Sequence, residues 1–398
     1  METMLAEKRN VWLLASCQAL FMTGNALMIT LSTLVGDHML TEDRALVTLP
    51  VTSMVVGTLV ATMPASFWMR FIGRRWGFMT GAAIGFGGGI VTSVAIYENI
   101  FWLFCLGTFM MGSYNAFAQY YRFAAADVAS DSYRSRAISY VMAGGVVSAL
   151  FGPELARQTH DLVATYSYLA SYMSLSVLAS AALLLLSFLN IPRMTAEERR
   201  DTGRPWLAIA RQPVFIVAVL SSVVGYASMS LVMTATPLAM AICNHGLNET
   251  AFVIQWHALG MFAPSFVTGH LIRRFGVLYI ILVGCVIEVA AVMTNLHGIT
   301  FLHFGMALFL LGVGWNFMFI GGTALVTETY QPSEKGKAQA INDFIVFGSV
   351  AISSFASGNL LHYVNWSAVN YSALPFIALT VVAVLWLIAR RRAEPTAA

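Results

Sequence analysis

The chain has 398 residues, 58% of them hydrophobic and only 10% charged, with a formal net charge of +3. A water-soluble domain carries about a quarter charged residues, so this composition excludes a fold wrapped in water. It equally excludes disorder, which needs low hydrophobicity and high net charge, and a broad nucleic-acid footprint. What remains is a chain whose solvent is mostly lipid.

The first apolar run, 11–35, is longer than the roughly 7–15 residues of a secretory signal core, so it reads as a retained span. A spanning helix needs about 20 predominantly apolar residues. By that measure the spans in chain order are 11–35, 45–69, 77–97, 100–127, 137–157, 165–189, 213–242, 251–272, 277–296, 300–326, 338–361 and 366–389. Gly36-Asp37-His38, Gly73-Arg74-Arg75 and Asn244-His245-Gly246 mark some of the joints. The expected architecture is an all-α integral membrane protein of twelve transmembrane helices. It divides into an N-terminal six-helix bundle over 1–189, a cytoplasmic linker over 190–212 and a C-terminal six-helix bundle over 213–398. The linker holds Arg193, Glu197, Glu198, Arg199, Arg200, Asp201, Arg204 and Arg211.

Positive charge sets orientation. With this span count, all of the 22 Lys and Arg residues except Arg44 and Arg157 fall on one side. That side, with both termini, is expected to be the cytoplasm, and the protein a multi-pass protein of a bacterial inner membrane.

The four cysteines, Cys17, Cys105, Cys243 and Cys285, form no C-x-x-C pair, so neither a disulfide framework nor a zinc site is expected. No nucleophile elbow, Walker loop or H-E-x-x-H helix occurs. The chain is therefore not expected to be an enzyme or to hold a cofactor or metal. Gly85 and Gly87 to Gly89 lie inside span 3, where small residues allow close helix packing.

The halves echo each other. Tyr114-Asn115, Asp127, Arg134, Arg136 and Ala137 are matched by Trp315-Asn316, Glu328, Lys335, Lys337 and Ala338, each pair 201 residues apart. A second echo sets Arg70-Phe71-Ile72-Gly73 against Arg273-Arg274-Phe275-Gly276. A parallel repeat of six spans plus six resembles the major facilitator transporters. Their loop after span 2 is similar to Ser66 through Arg75, where Gly73 and the basic pair match while Ser66 and Arg70 replace the usual Gly and Asp. Asp127 and Arg134 resemble the family's acid ending span 4 and Arg opening span 5. Gly144, Gly152 and Pro153 resemble part of a drug-antiporter motif, with Ser148 and Ala156 in place of glycines. The tract from Gln119 to Pro153 looks like a bacterial branch that includes riboflavin importers.

This resemblance implies alternating access by two rocking halves and a central cavity lined by spans 1, 4, 7 and 10. Asn115, Gln119 and Arg122 share one face of span 4. With Asn316, Asn25 of span 1 and Tyr226 of span 7, they are the expected substrate contacts. Interhelical hydrogen bonding that only fixes packing is the alternative. Amides and rings suit a neutral, partly aromatic organic molecule better than a hard cation, which calls for converging oxygens. Trp12, Trp102 and Trp366 lie near span ends and read as interfacial anchors. Glu288 and His257 are the candidates for proton coupling, and for each a structural role competes. Glu154 and Arg157 read first as a rim pair.

An inner gate is expected around Arg70. Asp343 of span 11 would pair with Arg70, Asp127 with Arg74 or Arg134, and Glu328 with Arg273 or Lys335, all closing when the cavity faces outwards. The resulting expectation is a secondary transporter, acting as a monomer with a small-molecule substrate and the lipid bilayer as partners and no nucleic acid. Proton-coupled uptake of a vitamin such as riboflavin is favoured. Efflux of drugs or metabolites is the nearer rival, and an intramembrane enzyme or receptor the remoter one.

Overall fold

The computed structural model describes residues 2–40, 46, 49–191 and 203–393. Arg44 and the linker charges from Arg193 to Asp201 lie outside the described residues. The described elements are all helical: α1 Glu2–Met39, α2 Leu49–Ile72, α3 Arg74–Glu98, α4 Phe101–Ala118, α5 Tyr121–Val128, α6 Arg134–Thr159, α7 Leu169–Ser187 and α8 Trp206–Ala210. They continue with α9 Pro213–Ile242, α10 Leu247–Phe262, α11 Ser265–Phe275, α12 Val277–His297, α13 Phe301–Val326, α14 Lys335–Tyr363, α15 Trp366–Tyr371 and α16 Leu374–Ala393.

Among the described residues, ten helices are long and apolar enough to cross a membrane on their own. The other two expected spans are broken helices, and span 12 is also interrupted, at Ser372 and Ala373 between α15 and α16. Span 4 is α4 plus α5, interrupted at Gln119 and Tyr120, and span 8 is α10 plus α11. Pro264 lies at the second break, where its missing N–H cannot continue the ladder. Each of the twelve expected spans thus has a helix or a broken helix. One expected joint needs correction. Gly36-Asp37-His38 is not a joint, because α1 continues through it to Met39, and the linker contains α8.

The joints follow from single residues. Gly73 and Gly276 connect α2 to α3 and α11 to α12, with φ of 90° and 91°. L side chains rarely adopt this backbone, which is why both repeats hold glycine there. Asn99 ends α3 in the left-handed conformation, its N–H reaching the Ile96 carbonyl while Ile100 N–H reaches that of Ala95. This closure satisfies carbonyls that the helix end leaves open.

Contacts divide the chain into two compact units, 1–130 with 140–201, and 131–139 with 202–398. In the first, the Gly57 position abuts the Phe109 carbonyl and Gly112 abuts that of Met54, so α2 and α4 meet backbone to backbone. Gly85 of α3 receives the Tyr114 ring, as close packing requires. Gly144 and Gly152 of α6 lie against Ala15 and Ala26 of α1, and between them Ser148 donates to the Met22 carbonyl at 2.8 Å. In the second unit the α2–α4 contact recurs between α10 and α13. A Cβ on Gly260 would stand 2.5 Å from the Phe309 carbonyl oxygen, and one on Gly312 would stand 2.6 Å from that of His257. Small residues let backbones approach where the hydrophobic effect supplies no drive.

Candidate substrate and coupling sites

In the first unit, the expected span 4 stripe forms one hydrogen-bonded chain. Arg122 Nη1 donates to Gln119 Oε1 at 2.8 Å, Gln119 Nε2 to Asn115 Oδ1 at 2.8 Å, and Asn115 Nδ2 to Thr58 Oγ1 of α2 at 3.2 Å. Thr58 passes its own proton towards the carbonyls of Met54 and Gly112, at 3.0 Å each. Arg122 Nη1 also donates to the Gln119 backbone carbonyl at 2.9 Å, at the break between α4 and α5. Its guanidinium lies 4.7 Å from the Phe123 ring centroid. A charge inside a membrane helix is expensive unless paired or hydrogen-bonded, and Arg122, 2% exposed, is held at the break by these contacts. Asn25 of α1 is half-buried.

The second unit is arranged differently at the matching place. Tyr226 of α9 packs edge-on against Trp315, Phe319 and Phe347, with ring centroids 5.2–5.7 Å away. Trp315 stacks on Phe319 at 5.1 Å and meets Phe262 edge-on at 5.6 Å. The Trp315 indole N–H is buried without a hydrogen-bond partner. Tyr226 was the one ring of this cluster expected as a contact. Phe319 and Phe347 were hidden among many apolar residues of the same spans, and only the one-turn spacing of Trp315 and Phe319 hinted at them.

Asn316 is tied into its own unit. It is fully buried, and its side chain is spent inside the unit. Nδ2 donates to the Met261 carbonyl at 2.5 Å and to Ser265 Oγ at 2.6 Å, while Oδ1 accepts from Thr268 Oγ1 at 2.6 Å. Asn316 therefore fastens α13 to the α10–α11 break. Asn115 makes the corresponding tie from span 4 to span 2, so the paired asparagines first of all join helices.

Glu288 is fully buried on α12, and neither carboxylate oxygen has a hydrogen-bond partner. His257, 1% exposed, holds the Leu308 carbonyl of α13 through Nδ1 at 2.7 Å. A carbonyl only accepts, so Nδ1 carries the proton and the ring is a helix-to-helix tie. Glu154 and Arg157 form a two-pronged pair at 2.6 and 2.9 Å on an exposed rim.

At the basic ends of the helices, Arg74 Nη2 meets Asp127 Oδ2 at 3.1 Å, with both side chains largely buried. Arg134 pairs with Asp131 of its own turn at 2.7 Å. Glu328 takes Arg391 at 2.7 Å and not Arg273. The last helix brings its basic end alongside Glu328, a return that no local spacing reveals. Lys335 opens α14, Arg70 lies in the last turn of α2, and Asp343 is buried in α14 beside Asn342, whose Nδ2 donates to Asp343 Oδ1 at 2.8 Å.

Sequence reading missed a further inner cluster. The Glu334 carboxylate, its side chain 1% exposed, accepts from Arg204 Nε at 2.8 Å, Arg204 Nη2 at 2.6 Å, Arg204 N at 2.8 Å and Gln331 N at 3.0 Å. Arg204 Nη2 also reaches the Thr329 carbonyl at 3.0 Å, and Lys337 Nζ reaches the Arg204 carbonyl at 3.1 Å. Arg204 holds the Glu334 carboxyl down to about 2. The end of the linker is thus strapped to the loop between α13 and α14. Among the described residues no cluster of His, Cys, Asp and Glu could hold a metal ion.

A family model described as Major Facilitator Superfamily matches residues 11–321 and 218–398. The Riboflavin transporter RfnT of Brucella anthropi is 44% identical over 379 residues, 95% of each chain. Among solved structures, the human organic anion transporter MFSD10 (TETRAN) superposes with a TM-score of 0.77 at 14% identity, covering 95% of this chain and 99% of that one. The fucose:proton symporter FucP of E. coli gives 0.74 at 15% identity, covering 94% and 98%. At those identities the two structures speak for the fold alone.

Proposed function

This chain belongs to the Major Facilitator Superfamily, and from that premise we propose that it imports riboflavin across the bacterial inner membrane, driven by protons. The observation that carries the reading is the 44% identity to a riboflavin transporter over 95% of both chains. The aromatic cluster of Tyr226, Trp315, Phe319 and Phe347 supports it, since aromatic faces give a flat ring system broad apolar contact. The amides of Asn115 and Gln119, with Arg122 beyond them, suit the polar groups such a molecule carries. Asn25 adds a half-buried amide from α1. Both termini face the cytoplasm in this reading, following the positive-inside bias, and the transporter acts as a monomer. Arg74 with Asp127, and Glu328 with Arg391, belong to the inner gate together with Arg70, Arg134, Arg273, Lys335 and Asp343.

Uptake of labelled riboflavin by cells expressing the chain, with an inward proton gradient imposed and then collapsed, tests the proposal. Accumulation that follows the gradient supports it. No uptake, accompanied by raised tolerance to drugs, replaces import with export.

A further inference from the structure

We propose that Glu288 is the proton-binding site and that it acts from behind the aromatic wall, through helix packing, without touching the cargo. The inference rests on the proton-coupled reading above and gives that coupling a place.

The geometry around Glu288 is confined. α12 packs on α13 so closely that a Cβ on Gly314 would stand 2.5 Å from Glu288 Cγ. On the other side, a Cβ on Gly225 of α9 would stand 3.7 Å from Glu288 Oε1. Glu288 therefore fills a notch made by two glycines on two different helices. The next residue after each glycine is an aromatic of the cluster, Tyr226 after Gly225 and Trp315 after Gly314. Tyr226 and Trp315 meet edge-on at 5.4 Å, so the acid lies just behind the contact that joins α9 to α13.

No charge balances Glu288 there. Ser228 of α9, a neutral hydroxyl, interacts with it. Cys285, one turn away on α12, is its titratable neighbour. α9 carries no Asp, Glu, Lys, Arg or His, and its Tyr226 turns towards the ring cluster. α13 has only His303, in its first turn. α11 carries His270 in its middle and Arg273 and Arg274 in its final turn, and the basic residues of α16, Arg390 to Arg392, also sit in a final turn. α15 carries none of these residue types.

An ionised carboxylate sealed in such a place costs several kcal/mol. With the notch closed, Glu288 is therefore a neutral acid. Losing the proton requires α9 or α13 to move off α12, so that water reaches the carboxylate. Those helices carry Tyr226 and Trp315, and moving them reshapes the aromatic cluster. A proton bound better in one helix arrangement than the other biases that arrangement. By linkage, cargo held between the rings biases the proton equally.

The test has two arms on purified full-length protein. Infrared difference spectroscopy at neutral pH reads the carbonyl stretch of protonated carboxyl groups directly and needs no cargo. Wild type should show a buried-acid band that Glu288→Gln lacks and that Glu288→Asp restores in part. In proteoliposomes, wild type should accumulate riboflavin by up to about tenfold per unit of inward pH gradient for one proton per cargo. Glu288→Gln, still able to equilibrate riboflavin, should not exceed the outside concentration. Glu288→Asp, still titratable, should recover part of the accumulation. A band that persists in Glu288→Gln removes the proton site. Loss of the band with accumulation still driven by the gradient makes Glu288 a structural acid and overturns the coupling. Absence of gradient-driven riboflavin uptake in wild type refutes the functional reading, while the infrared arm still decides the proton site.

Discussion

Replacing Glu334 by Gln keeps the side chain's shape and removes the charge that holds the linker to the second unit. Glu334 is held at about 2 against an ordinary 4.5, with Arg204 as the main cause. A shift of that size is worth about 3 kcal/mol if the pair is fully shielded. The Arg204 side chain is 42% exposed, so solvent screens its end of the pair. About 2 kcal/mol is then reasonable, and it agrees with the roughly 1.5–3 kcal/mol of a hydrogen bond to a charged group. The Arg204 amide itself donates to Glu334 Oε1, so backbone exchange reports the strap. Hydrogen exchange of a peptide spanning 203–212 should become about 30-fold faster in Glu334→Gln. In wild type, a depressed carboxyl stabilises above its unfolded value and loses that contribution as pH falls towards its folded one. Protection, corrected for intrinsic rate, should stay level from neutral pH to about 4.5 and then fall towards about 2. Exchange within threefold of wild type in the variant, or protection already lost by pH 6, would show that Arg204 and Glu334 do not hold the linker.

The two asparagines of the repeat should respond differently to Ala. Asn316→Ala leaves the Met261 carbonyl and two hydroxyls unserved, at about 1–3 kcal/mol for the buried group. It should lower thermal stability, with riboflavin affinity changed less than twofold in the folded fraction. Gln119→Ala and Arg122→Ala should weaken riboflavin uptake about tenfold or more at near-normal expression, and normal uptake in both would reduce the chain to packing. His245 offers a pH test outside the membrane. Its imidazole is raised above the usual 6.5 by the Ile299 carbonyl and then by Glu249. A raised histidine stabilises fully below its unfolded value and less as pH climbs through the folded one. Exchange at 243–250, corrected for intrinsic rate, should therefore quicken as pH climbs above 6.5, and His245→Gln should flatten that rise.

The fold was legible because lipid imposes one rule, that every backbone group must be satisfied within a helix. Apolar run length then does the counting. The broken spans were not legible as broken. Gln119 and Tyr120 carry no breaker signal, and the interruption there is held by Arg122 taking the Gln119 carbonyl. The site was legible in part. Helical spacing put Asn115, Gln119 and Arg122 on one face, and the structure joins them in order. It could not say which partners a buried amide takes, because Asn316 and Asn115 look alike until theirs are seen. Pairs that join distant segments were out of reach as well. Glu328 with Arg391 and Glu334 with Arg204 link residues 63 and 130 positions apart.

The repeat itself separates packing from function. Both units keep the same glycine contact between their second and fourth spans and the same asparagine tie across it, so these features answer to a shared scaffold. What differs between the copies has no scaffold to explain it. The first unit breaks its fourth span and threads Gln119 and Arg122 through the gap, whereas the second keeps α13 whole and surrounds Trp315 with rings. The second also buries Glu288 in a notch, while the first has no acid in span 3 between Arg74 and Tyr97. A duplicated bundle that needed only to stand would have little reason to diverge at matching depths. Polar chemistry is collected in one copy, and an aromatic cluster with a buried acid in the other. On the reading proposed above, the first copy recognises polar groups of the cargo, and the second holds its ring and the coupling proton.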